Sequence, residues 1–133
     1  MQPGQGDLDK TPSFVPRGPL GMWKAFRWSL NGLRQGFLAE RSFRLEVYAF
    51  VVLGPLSFWL GATAVERVIL FGSLLLVLSV ELLNSAVESV ADKTSPEFHE
   101  LIGRAKDMGS AAVLLMLVNA AVCWGMILVP RYL

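Results

Sequence analysis

Residues 68–91 read VILFGSLLLVLSVELLNSAVESVA, and the reading of that stretch decides the fold. Apolar residues dominate its first part, and as one helix the whole is long enough to cross a bilayer. Its last part carries Glu81, Asn84 and Glu88. The two glutamates are seven residues apart, so a helix stacks them two turns apart on one face with Asn84 between them. Polar groups in apolar surroundings are expensive to bury. Ionisable side chains within a span face the bundle interior or water, and functional use is the default reading for them. The plainer reading is a hydrogen-bonded cluster that only joins helices.

The rest of the chain fits a membrane setting. Its 133 residues point to one domain, and 53% of them are hydrophobic, too apolar for an ordinary soluble domain. The formal net charge is +1, so the placement of charges matters more than their total, and no nucleic-acid partner is expected. The single cysteine, Cys123, lies in an apolar run, which excludes an internal disulfide and favours a packing role. The first residues lack an apolar core of the signal-peptide kind and hold Pro3, Pro12, Pro16 and Pro19.

Outward from the decisive stretch, six further segments follow. Residues 1–20 are rich in Pro, Gly and Asp and read as a disordered tail. From about 21 to 39, Trp23, Phe26, Leu30, Leu33 and Phe37 recur at helical spacing, with Lys24, Arg27, Asn31 and Arg34 opposite them. That pattern predicts an amphipathic helix with a basic face, suited to an anionic membrane surface. A short apolar segment at about 45–61 follows the charged run AERSFRLE, with Pro55 a candidate kink. GATAVER then reads as a turn before a span over about 67–91. DKTSPEFHELIGR, residues 92–104, reads as a polar connection with Pro96 at a helix start. The last span is expected over about 105–129, ended by Pro130 and anchored by Arg131. Gly109, Ser110, Ala111 and Ala112 at its mouth are small enough for close helix contact. The predicted fold class is an all-α integral membrane protein, a surface helix followed by three spans, with residues 21–133 as one membrane-integral domain.

Orientation follows from the basic residues. Lys10, Arg17, Lys24, Arg27, Arg34, Arg41, Arg44, Lys93, Arg104 and Lys106 share one side, and Arg67 and Arg131 fall on the other. The positive-inside rule then puts the N-terminus and the 92–104 connection in the cytoplasm.

The chemistry-bearing residues collect at that same side. Glu81, Asn84 and Glu88 come from the second span, Lys106, Asp107 and Ser110 open the third, and Glu40 ends the surface helix. Such a site meets water on one side and lipid on the other. Phosphoryl transfer needs positioning and neutralisation of phosphate charge. Mg²⁺ is held by one or two carboxylates plus substrate phosphates, a part that suits Glu40 and Glu88. Glu81, deeper in the span, suits a base that takes a proton from a lipid hydroxyl. No Gly-rich phosphate loop and no protein-kinase signature is present, so phosphoryl transfer is one candidate among several on this ground alone.

The strings ELLNSAVE (81–88) and EFHELIGRAKDMGSAAV (97–113) resemble the signature of the prokaryotic, membrane-integral diacylglycerol kinase family. The similarity runs without gaps from about Gly21 to the end of the third span. It implies a homotrimer that phosphorylates diacylglycerol to phosphatidic acid with ATP and Mg²⁺, in the bacterial inner membrane. By position it makes Glu81 the general base, with Asn84 beside it in the active site. Glu40 and Glu88 become the metal carboxylates. The nucleotide falls to Trp28, Glu40, Glu88, Glu97, His99, Lys106 and Asp107. The lipid falls to Ser29, Arg34, Glu46, Glu81, Ser110 and Trp124. The resemblance implies sites shared between protomers. Two departures stand out. Gly21 replaces an arginine, a loss that Lys24 or Arg27 would have to cover, and Trp28 replaces a tyrosine, which keeps a π face. The undecaprenol kinase branch is the near alternative, and GRAKDMGSAAV is more like the diacylglycerol branch. From other classes, a proton-coupled transporter and a structural membrane subunit are the competing readings.

Overall fold

The computed structural model describes residues 18–94 and 99–133. Residues 1–17 of the expected tail, the Ser95-Pro96 helix start, Glu97 and the side chain of His99 lie outside the described residues, and the last two tail residues, Pro19 and Leu20, are already helical. The described chain is helical: α1 Pro19–Ala39, α2 Arg41–Leu60, α3 Ala64–Ala91 and α4 His99–Tyr132. The last three are long and apolar enough to cross a membrane. An all-α membrane architecture of an N-terminal helix and three spans is therefore what the chain adopts.

The chain divides into two units, residues 1–34 and 35–133. In the first, α1 exposes its aromatic and aliphatic residues, Trp23, Phe26, Trp28, Leu30 and Leu33 among them, and its basic residues alike. A helix with this much uncovered apolar surface is suited to an apolar medium or a partner.

In the second unit, α1 stops at Ala39 and α2 starts at Arg41 after one extended residue, Glu40, with φ −109° and ψ 113°. Arg44 makes that break stable. Its guanidinium donates to the carbonyls of Phe37 and Leu38 at 3.0 and 3.3 Å, covering the open acceptors and the negative end of α1. The span thus begins at Arg41, four residues ahead of the expected 45, because the charged residues of AERSFRLE are helix formers that solvate one face of its first turns. Pro55 sits inside α2. Its neighbour Gly54 is buried, a methyl group built on it would be in ordinary contact with Phe50 and Phe71, and Ser57 Oγ donates to the Gly54 carbonyl at 2.5 Å.

The turn before α3 is shorter than the sequence suggested. Residues 64–67 of GATAVER are helical because Thr63 and Glu66 form a capping box: Glu66 N donates to Thr63 Oγ1 at 3.2 Å, and the Glu66 carboxylate accepts from Thr63 N and, at 2.7 Å, from Ala62 N. Satisfying the orphan N–H groups this way fixes the helix start. α3 has 28 residues, about 42 Å at 1.5 Å per residue, more than the roughly 30 Å of hydrocarbon it would cross.

α3 packs against both α2 and α4. Both pairings are antiparallel. On one side, Phe71 meets Phe50 and Phe58 at centroid distances of 5.4 and 5.1 Å. On the other, Trp124 Nε1 donates to the Leu70 carbonyl and Ser73 Oγ, both at 3.2 Å. Among the less exposed residues of α4, Ile102, Lys106, Gly109, Val113, Met116, Ala120 and Cys123 recur alternately at four and three, the spacing of left-handed helix packing. Few apolar residues are buried within the described chain: Phe43, Leu70 and Val77. Large side chains such as Trp59, Val52 and Val68 stay mostly exposed, which suits lipid or further helices around the bundle and would be untenable in water.

Pro130 does not end α4, which runs to Tyr132. A proline loses one hydrogen bond to residue i−4, and the final turn is held from outside instead. Arg131 donates to both Glu66 carboxylate oxygens, at 2.8 and 2.9 Å, and to the Leu60 carbonyl at 3.0 Å. The 92–104 connection is also shorter than expected, since α4 begins at His99 and carries Glu100, Arg104 and Lys106 on its first turns. A helix that extends past the hydrocarbon needs no apolar residues there.

Candidate active site

The antiparallel pairings bring the start of α2, the end of α3 and the start of α4 to one place. α1 and α2 meet α3 there through Gly36, whose missing side chain leaves room for Leu82, and through Phe43, which is fully buried. α4 meets α3 through Gly109, seated on Asn84.

Along α3, the face that is buried higher up by Leu70, Ser73 and Val77 continues as Glu81, Asn84 and Ser85. Periodicity therefore carries the polar residues into the core on the same stripe as the apolar ones. Glu81 is only 6% exposed. One turn on, the Asn84 amide donates through Nδ2 to Glu88 Oε1 at 3.5 Å, and Glu88 is half-buried at the rim. Across from them, Glu46 of α2 has its Oε2 buried without a hydrogen-bond partner among the described residues. Glu81 lies within electrostatic range of Glu46, Glu40 and Glu88. Glu40 fills an N-cap position, yet its side chain makes no capping bond. Among the described residues, none of these four carboxylates is ion-paired.

The remaining sequence-predicted residues are distributed less tightly. Lys106 stands at the same end but donates to Asp92 Oδ1 at 3.2 Å, in a solvent-exposed pair. Asp107 and Ser110 are exposed on α4. Trp124 is not with the acids. Leu70 and Ser73, which it bonds, precede Glu81 by eleven and eight residues, about 12–16 Å along the helix. Trp28, Ser29 and Arg34 belong to the N-terminal unit, where all three are exposed.

Sequence reasoning left two participants without a place. Ser85 is buried beside Asn84, and its position on the α3 stripe was the available signal. Gly109 was read as a small residue for helix contact, and its partner, Asn84, was not identifiable from spacing across two helices.

Among the described residues, four carboxylates without an ion-pair partner gather at one end of the bundle, an arrangement whose negative charge would attract a cationic or cation-bound ligand. Residues 27–128 match the family model described as prokaryotic diacylglycerol kinase. The chain belongs to the prokaryotic diacylglycerol kinase family. Every residue singled out above for the site falls within the matched stretch, and Gly21 lies outside it. Among relatives, the diacylglycerol kinase of Haemophilus influenzae is 48% identical over 102 residues, 77% of this chain and 86% of that one. The diacylglycerol kinase of Escherichia coli K12 is 46% identical, covering 79% of this chain and 86% of its own length. That of Pseudomonas aeruginosa is 45% identical, covering 76% and 82%. Membership of a prokaryotic diacylglycerol kinase family, together with three apolar helices, makes this a multi-pass membrane protein of a kinase family. The transporter and structural-subunit readings are left without support.

Proposed function

We propose that this protein is an ATP-dependent diacylglycerol kinase that makes phosphatidic acid at the cytoplasmic face of the bacterial inner membrane, working as a homotrimer. The observation that carries the reading is the buried Glu81 within a set of acids that have no ion pair among the described residues, in a chain that shares nearly half its residues with curated diacylglycerol kinases over most of its length.

The chemistry follows from the site. The lipid hydroxyl oxygen attacks the γ-phosphorus of ATP, its bond to the bridging β–γ oxygen breaks, and ADP leaves. The hydroxyl proton goes to the Glu81 carboxylate, which stands at the depth a lipid headgroup reaches and is shielded from bulk water. Asn84 holds Glu88 through its amide and so orients a carboxylate next to the transferring group. Glu40, Glu88, Glu97, His99, Asp107 and Trp28 are assigned to the nucleotide. Lys106, now paired with Asp92, would exchange that solvated partner for a phosphate. Ser29, Arg34, Glu46 and Ser110 are assigned to the lipid, and Trp124 to its chains, in keeping with its position away from the acids.

The donor set fits Mg²⁺. Glu40 and Glu88 offer the hard carboxylate oxygens that such an ion takes alongside phosphate oxygens, and both lie within electrostatic range of Glu81. Glu40 and Glu88 would hold it, and it would supply neutralisation of phosphate charge. A homotrimer is supported by the apolar helix faces left uncovered on the single chain, and a cytoplasmic N-terminus by the distribution of basic residues.

The test is purified protein in mixed micelles with labelled ATP and Mg²⁺, offered diacylglycerol or undecaprenol. Labelled phosphatidic acid is the expected product. Phosphorylation of undecaprenol alone would move the acceptor to the other branch, and no transfer to either lipid would refute the reading.

A further inference from the structure

α4 carries glycines at positions 103, 109 and 125. A methyl group built on Gly103 or Gly125 meets open space. Built on Gly109, it overlaps Asn84 Oδ1 and comes within 3.3 Å of its Cγ. A glycine inside a helix costs about 0.5–1 kcal/mol relative to alanine, so at Gly109 the absent side chain has a packing reason that the other two positions lack.

What rests on Gly109 is one half of an amide whose other half faces the acids. Nδ2 donates to Glu88 Oε1 at 3.5 Å, and Oδ1 is buried with no hydrogen-bond partner among the described residues. The terminal torsion of asparagine is broad and roughly two-fold, so burial alone does not choose which end meets Glu88. The ends are chemically opposite, Oδ1 accepting and Nδ2 donating. Turned round, the amide would set its oxygen against a carboxylate and press two N–H groups onto the Gly109 Cα, where there is nothing to accept them. In the observed orientation the bare Cα–H surface meets an oxygen, with which it makes a weak favourable contact.

We propose that Gly109 is a positioning residue: its bare Cα is the wall against which the Asn84 amide rests, and that contact keeps Nδ2 turned toward Glu88. The functional consequence rests on the lipid-kinase reading, because Glu88 matters there as a carboxylate for metal and nucleotide. With one N–H committed to Glu88, the second is free for a phosphate oxygen. A side chain at position 109 would displace the amide and loosen both.

The experiment is a double-mutant cycle of Gly109→Ala and Asn84→Ala. It is read in the affinity for a non-hydrolysable ATP analogue with Mg²⁺, in Tm and in turnover. Gly109→Ala is expected to remain trimeric and to bind the analogue about tenfold more weakly, as Asn84→Ala does, and the double variant is expected to bind no worse than Asn84→Ala alone. Gly103→Ala and Gly125→Ala, on the same helix, bind like wild type. Wild-type affinity in Gly109→Ala, or losses that multiply in the double variant, would overturn the proposal. If Gly109→Ala does not fold, the double variant decides, because it removes the overlap. Folding with the affinity of Asn84→Ala supports the contact, and failure to fold overturns it. A wild-type protein that neither binds the analogue nor phosphorylates diacylglycerol defeats the lipid-kinase reading instead, and the cycle read in Tm still tests the Gly109–Asn84 contact.

Discussion

The two ends of α3 are built on opposite principles. At the Ala64 end every notable polar group has a partner. Thr63 and Glu66 cap each other, Glu66 also holds Arg131, and Arg67 Nε donates to the Gly61 carbonyl at 3.0 Å. At the Ala91 end, acids from α2 and α3 face one another, and both Asn84 Oδ1 and Glu46 Oε2 are buried without partners among the described residues. Buried polar groups are nearly always satisfied in native proteins, and exceptions call for an explanation such as a ligand. One end of the helix is finished by the protein, and the other is left open in the way the proposed site requires.

That contrast breaks most sharply at Glu81. Replacing it with Gln keeps the shape and removes the base, so turnover should fall by about 10²-fold or more. Tm should hold or rise, because a buried carboxylate among other carboxylates gives way to a neutral amide. Activity assays and thermal unfolding of the purified protein measure both. A Glu81→Gln protein with normal turnover would remove the assigned role, and one that unfolds would make Glu81 a structural acid like those of the other end.

Glu88 and Glu40 sharpen the same comparison with a smaller effect. In the proposed site each shares a cation with phosphate oxygens, so alanine at either should shift the half-maximal Mg²⁺ concentration upward by about tenfold or more, with the lipid KM less affected. Titrating activity with Mg²⁺ at saturating ATP measures the shift. Unchanged metal dependence in both variants would detach these acids from the metal.

The three long apolar helices and the acidic face were legible in the sequence because each rests on one helix's own periodicity. Glu81 and Asn84 are buried where a helical stripe through Leu70, Ser73 and Val77 puts them. What was not legible is what crosses between helices. Lys106 reads as a free cation until Asp92, fourteen residues away, is seen 3.2 Å from it. The persistence of α4 through Pro130 depends on Glu66 and Leu60, brought in from two other helices. The early start of α3 is written in the sequence, where Thr63 and Glu66 stand in the spacing of a capping box ahead of an apolar run.

The Ala64 end should respond in stability and not in turnover, and there the effects are smallest. Arg131→Ala removes the paired donors to Glu66 and the bond to the Leu60 carbonyl together, untying α4 from α2 and α3, so Tm should drop by several degrees while turnover at 25 °C stays normal. Thr63→Ala takes away only one half of the capping box and leaves Arg131 on Glu66. Loss of such a cap costs about 1 kcal/mol, a Tm decrease of roughly 2–6 °C for a chain of this size. Combining the two changes should cost less than their sum, since both act through the Glu66 carboxylate and its hold on the first turn of α3. Thermal unfolding of the two single variants and the double variant reads this directly. Strict additivity would mean that the capping box and the arginine clamp are separate devices, and a loss of turnover in Arg131→Ala without a loss of Tm would undo the division between the two ends of α3.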